Sequence, residues 1–276
     1  MAISTTWRRT SGGEVSFDDA VFSGGMLGFA RARFSGGEVS FDDAEFSGSR
    51  VSFYFAEFSE GKVSFHDAVF SGGEVSFDQV GFSGGEVDFL GSHFTGSDVD
   101  FRTVFSDGRV AFHVAEFSGG RVHFGGDFSG GDLSFENARF SGGEVDFLGS
   151  HFTGSDVDFY RAEFSGGQVD LGAVFSGSTV DFGGARFSGG TVDFGARFSG
   201  GKVSFLGVFT DGWGDIADAG FTGGEVDFSS AEDWSCPPKF PWTGTPPPGV
   251  KLRRMEDQSQ TLGSSLILLC PGLPGP

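Results

Sequence analysis

The chain holds 276 residues, among them 49 Gly and 37 Phe but 2 Tyr, 4 Trp and 3 Met, and its formal net charge is -20. Glycine at about 18%, against an average near 7%, excludes an ordinary enzyme domain as the expectation and points to a repeat. The acidic balance disfavours direct binding of nucleic acid or an anionic membrane, and fits a basic protein partner, metal cations or plain solubility.

Residues 1–13 are a lead-in. The stretch Met1 to Thr10 has no apolar h-region, and no stretch of the chain approaches the roughly 18 apolar residues of a membrane span. A soluble cytoplasmic protein is expected. Disorder is not: aromatic and β-branched residues recur at regular spacing, whereas disordered acidic chains lack them.

From Glu14 to Trp234 a 12-residue unit, V-S/D-F-x-x-A-x-F-S-G-G-x, recurs about 19 times. Its first Phe falls at Phe17, Phe29, Phe41, Phe53, Phe65, Phe77, Phe89 and Phe101, and then continues with small slips to Phe228. Leu171 and Ile216 fill the same slot, and Trp234 takes the last second-Phe slot with one residue inserted. In some units the two large residues are four apart rather than five, as at Phe101–Phe105, Phe124–Phe128, Leu171–Phe175 and Phe194–Phe198. A lost residue inside a strand would flip every side chain beyond it, so the stretch between the two Phe holds a turn. Val and the first Phe are two apart, as are Ala and the second Phe. Each pair shares one face of a very short strand. Ser-Gly-Gly forms the second corner, where glycine permits positive φ. These features predict an all-β fold, a parallel β-solenoid whose coils pair strand to strand.

The pattern resembles the pentapeptide-repeat family, with a small residue two before a central Phe or Leu. Ala20-Val21-Phe22-Ser23-Gly24, Ala44-Glu45-Phe46 and Ala138-Arg139-Phe140 fit it, and Val15-Ser16-Phe17-Asp18-Asp19 fits with Val for Ala. The likeness spans residues 14–234 and is greatest to the Phe- and Gly-rich actinobacterial group. An extra Gly-x pair makes two fives into twelve. The resemblance implies a right-handed, four-sided (quadrilateral) β-helix, so that two 12-residue units make a coil of 24. A coil of 12 is the alternative, but it must enclose two Phe per layer across a gap of about 10 Å. At about 4.8 Å per coil, the longer coil predicts a rod near 45 Å and the shorter one near 90 Å.

No catalytic constellation emerges, and neither an enzyme nor a cofactor is expected. His66, His93, His113, His123 and His151 form no metal-binding spacing and read as outward loop residues. A 20-residue block, FSGGEVDFLGSHFTGSDVDF, occurs identically at 82–101 and 140–159, as after a duplication. Asp18-Asp19 and Asp42-Asp43 read as solvated corners, because the calcium β-roll uses a nine-residue repeat. The Asp that replaces Ser between Val and Phe is the candidate for function. In a 24-residue coil Asp146, Asp170 and Asp193 stack on one face, and Asp158 and Asp181 on another. Stacked like charges cost energy. They suggest an acidic interaction face for an unidentified protein partner. Some pentapeptide-repeat proteins imitate duplex DNA and occupy the DNA groove of type II topoisomerases such as gyrase. Arg31, Arg33, Arg50, Arg109, Arg121, Arg139 and Lys202 interrupt that pattern here. The oligomeric state is left open.

Residues 235–276 contain all nine Pro and both cysteines, Cys236 and Cys270. Two cysteines in a tail are no disulfide framework. The segment reads as extended or polyproline II, with its last dozen residues disordered. Pro237-Pro238 to Trp242 either cover the open end of the solenoid or offer a peptide ligand to an aromatic groove.

Overall fold

The computed structural model describes residues 10–11, 13–209, 213–215, 220–221, 223–231, 233–234, 245–246 and 248–252. Among them there is no helix. The strands pair in parallel into one β-solenoid of about nine turns. Val15 pairs with Val39 and Val39 with Val63, 24 residues on; where a turn residue is missing the step is 23, as from Val87 to Val110. The coil therefore contains two units, and nine coils at about 4.8 Å make a rod of about 43 Å.

Each coil has four sides. In the opening coil the first carries Val15 and Phe17, the second Ala20 and Phe22, the third Leu27 and Phe29, and the fourth Ala32 and Phe34. The large residue of each side stacks on its counterpart in the next coil. On the first side ten rings run without interruption from Phe17 to Phe228, with centroids 4.3–5.0 Å apart. The third side stacks likewise from Phe29 to Phe147, with Leu171 and Phe194 further along. Rings of these two sides meet edge to face across the core, as Phe89 meets Phe101 at 5.4 Å and 88°. Offset stacking along the rod and edge-to-face contact across it are the two arrangements that the ring quadrupole favours. Val, Ala and the occasional Ser fill the space between rings. Ser92 and Ser150, in Ala slots, are buried and donate to the carbonyls of Phe65 and Phe124 at 2.6 and 2.8 Å.

The turn expected between the two Phe is present. Ala20 N–H donates to Phe17 O at 3.1 Å, and the same bond recurs as far as Ala231 to Phe228. The residue before Ala takes positive φ, as at Asp19 (57°) and Val114 (60°). A β-branched residue in that region is strained. Phe205–Phe209, likewise four apart, spans the first and second sides, while the other four shortened units lie between the third and fourth. There Ala173 N–H closes back to Leu171 O at 2.6 Å, while Phe101 to Phe105 stays within the strand His93–Ala111. The Ser-Gly-Gly corner differs from a simple turn. In strands such as Val69–Ser76 and Glu163–Asp170 the pairing runs through it with register shifts, so the corner is a bulge inside a strand.

The ladder reaches past the repeat at both ends. Thr10–Ser11 pair with Phe34–Ser35, and Val250–Lys251 pair with Val226–Asp227 inside the Pro-rich segment. Trp234 pairs with Phe209, the register its slot requires. Ile216, both cysteines and Pro237 to Trp242 lie outside the described residues.

The two identical blocks sit on opposite sides of the rod. Phe82 stacks between Phe58 and Phe105 on the fourth side, while its copy Phe140 stacks between Phe117 and Phe164 on the second. The copies are five units apart, an odd number of half-coils.

Candidate acidic interaction face

The slot between Val and Phe faces outward on the first and third sides. On the third side Asp146 pairs in register with Asp170, Asp170 with Asp193, and Asp193 with Asp215. On the first side Asp158 pairs with Asp181. The carboxylates of Asp146, Asp158, Asp170, Asp181 and Asp193 are also engaged in their own turns. The amide two residues on donates to Oδ1: Tyr160 to Asp158 at 2.7 Å, Gly172 to Asp170 and Gly183 to Asp181 at 2.8 Å, and Gly195 to Asp193 at 2.9 Å. Where the slot holds Ser, the hydroxyl accepts the same amide, as Ser52 does from Tyr54 at 3.4 Å. The Ser/Asp interchange is therefore a choice between two caps for one turn. The repeat carried this signal, because Ser and Asp share the ability to accept an N–H two residues on.

The five candidate carboxylates are not equivalent. Asp146 is 6% exposed, and His123 from the preceding coil contacts its Oδ1 through Nδ1. Asp170 is half-buried. Burial holds its carboxyl above the usual range, and Asp193, Asp146 and Glu144 push the same way. Burial likewise raises Asp158, with Asp181 and Glu136 adding to it and the Tyr160 amide opposing. At Asp227 burial is outweighed by Ser229, Lys251 and Lys202, and the carboxyl is lowered. Asp146, Asp170 and Asp193 in one column and Asp158 and Asp181 in the other thus form uninterrupted acidic runs, with His123 against Asp146 and His113 near Asp158.

Elsewhere the outward columns mix charges of both signs. On the first side Glu38, Lys62, Glu86, Arg109 and Asp132 follow one another coil by coil. On the third side the column runs Arg50, Glu74, Asp98, Arg121 and Glu144. Arg50–Glu74 close to 2.9 Å and Arg121–Glu144 to 2.7 Å. The first of these columns borders an open trough of about 860 Å³ floored by glycines, including Gly37, Gly61 and Gly85.

The histidines are outward, but three stand on strands rather than in loops: His93, His123 and His151. Among the described residues no group of three His, Cys, Asp or Glu is placed to hold a metal ion, and no helix is long and apolar enough to cross a membrane.

The four Phe or Leu stacks, the small residue two before each, and the four-sided coil in parallel register decide the architecture. The chain folds as a pentapeptide-repeat-like β-solenoid. It matches no family model and no curated protein sequence. Among solved structures it is similar to HetL, a pentapeptide-repeat protein involved in heterocyst differentiation regulation in the cyanobacterium Nostoc sp. strain PCC 7120. That match has 13% identity and a TM-score of 0.28, over 81% of this chain and 91% of HetL. It is also similar to QnrB1, a plasmid-mediated fluoroquinolone resistance protein, at 19% identity and TM-score 0.28, over 78% of this chain and 91% of QnrB1. The register of the ladder, rather than these superpositions, carries the fold.

Proposed function

We propose that the protein is a non-enzymatic scaffold whose acidic rod engages a basic protein partner. The observation that carries this reading is the pair of carboxylate columns, Asp158–Asp181 on the first side and Asp146–Asp170–Asp193 on the third. Their backbone caps hold them at a fixed repeat on a rigid core, which suits recognition of regularly spaced cations. Asp146, buried against His123, positions the column rather than meeting the partner.

Asn keeps the Oδ1 acceptor and removes the charge, so it separates recognition from folding. In a low-salt capture experiment, wild-type protein should retain a basic partner that the Asp158→Asn/Asp170→Asn/Asp181→Asn/Asp193→Asn variant releases. Equal retention by both would end the reading, as would turnover of a substrate that one substitution abolishes.

The unbroken register from Asp146 to Asp215 favours a second reading, a DNA-mimicking inhibitor or protector of a type II topoisomerase such as gyrase. The columns of mixed sign count against it. A supercoiling assay decides: the mimic requires salt-sensitive inhibition that the same Asn substitutions reduce, and full supercoiling at saturating protein in low salt rules it out.

A further inference from the structure

On this acidic rod one hollow has the opposite character. A cavity of about 530 Å³ lies along the corner between the first and second sides, and Asn137, Arg139, Arg161, Glu163, Gly184 and Arg186 line it. Two columns build it. Arg139, Glu163 and Arg186 succeed one another on the second side. Asn137, Arg161 and Gly184 occupy the positive-φ position of the turn in the same three coils. Gly184 leaves the gap, because a Cβ there would stand 3.3 Å from Arg161 Cγ.

Three arginines and one carboxylate, that of Glu163, share the lining. Arg139 Nε lies 3.6 Å from Glu163 Oε2, while no ion pair engages Arg161 or Arg186 among the described residues. Arg161 rests over the Tyr160 ring at 5.0 Å, which fixes its direction. The nearby acids are otherwise engaged. Glu116, one coil before Arg139, pairs with His93 at 3.2 Å, and Glu136 accepts from Asn137 at 3.2 Å; neither lines the hollow. The lining therefore has a surplus of two positive charges.

We infer that this hollow is a binding site for a phosphate dianion, free or carried on a small organic body. A phosphate group brings close to two negative charges and three acceptor oxygens, which the guanidinium forks match in geometry. The volume exceeds that of phosphate alone and accommodates a substituent.

Calorimetric titration of the full chain with inorganic phosphate and with phenyl phosphate at low ionic strength tests the site. Saturable, mutually competitive binding with Kd at or below about 1 mM is expected. Arg161→Asn, which suits the left-handed backbone, and Arg186→Ala should each weaken it about tenfold. Glu163→Gln should tighten it about threefold, a direction that damage to the fold would not produce. Lys202→Ala, a cation removed elsewhere, should change nothing. Tighter binding of phenyl phosphate assigns the hollow to phosphomonoesters, and equal affinity assigns it to free phosphate. Absence of saturation by about 10 mM overturns the site, as does binding that persists in the Arg161→Asn/Arg186→Ala double variant.

Discussion

Asp170 shows how one residue serves and strains the coil together. Its Oδ1 accepts the Gly172 amide at 2.8 Å, yet burial and its acidic neighbours hold the carboxyl above its ordinary range. The native state then keeps the Asp170 proton to higher pH than the unfolded chain does. The resulting stability is full below the ordinary aspartate range and is lost as pH rises through the native value. Asp170→Asn keeps the acceptor and removes the charge. It should raise the melting temperature at pH 7, with the gain vanishing below about pH 3. A lower melting temperature at pH 7 would show that the carboxylate contributes more than a cap. Among the rings, Phe135 is fully buried between Phe112 and Phe159, with Phe124 and Phe147 edge-on. Phe135→Ala should cost about 3–5 kcal/mol in denaturant titration. Phe17, half-buried and stacked within its column on Phe41, should cost clearly less when truncated.

At the scale of the corner, glycine is required at some positions and idle at others. Gly201 has φ of 79°, and an added Cβ would lie 2.1 Å from Ser178 O in the coil below. Coils at strand spacing leave no room for a side chain there, so both the backbone angle and the approach demand glycine. Gly24 has nothing within 4 Å of an added Cβ. Gly201→Ala should destabilise by more than about 1 kcal/mol, and Gly24→Ala should be close to neutral, both read from urea midpoints. The turn between the two Phe was legible because deletions cluster in it. The bulged corner was not, since Ser-Gly-Gly reads the same whether pairing stops there or runs through it. What keeps the corner paired is the identical corner one coil away.

The whole rod behaves as a stack of half-coils. Val15 finds Val39 and Val87 finds Val110, and opposite sides are built alike, Val-x-Phe on the first and third and Ala-x-Phe on the second and fourth. Removing residues 53–76, one coil, should therefore leave a cooperatively folded β protein. Removing 53–64, one unit, should do the same while turning everything beyond it to the opposite side of the rod. Removing 53–58 should prevent folding, because it sets second-side residues against first-side ones. Far-UV circular dichroism with thermal melts checks all three; a folded six-residue deletion would contradict the register.

The copied block separates what is local from what is not. In both copies the sequence dictates the same slots: Val87 and Val145 inward, Phe89 and Phe147 inward, Asp88 and Asp146 capping the turn through the amides of Leu90 and Leu148. Spacing of small and large residues also settled the strands, the turn and the stacking of Asp146, Asp170 and Asp193, since all of these follow from a period of two within the strand and of two units per coil. The surroundings of each copy follow from residues some 23 or 24 positions away. Asp88 lies between Ser64 and Ala111, half-buried, while Asp146 lies between His123 and Asp170 and is buried against the imidazole. The mixed charges of the corner columns and the arginine-rich hollow arise in the same way. Each joins residues that no local pattern relates, and the missing turn residues shift which of them meet. Contacts between coils, not positions within a unit, set the charge environment of every outward side chain on this rod.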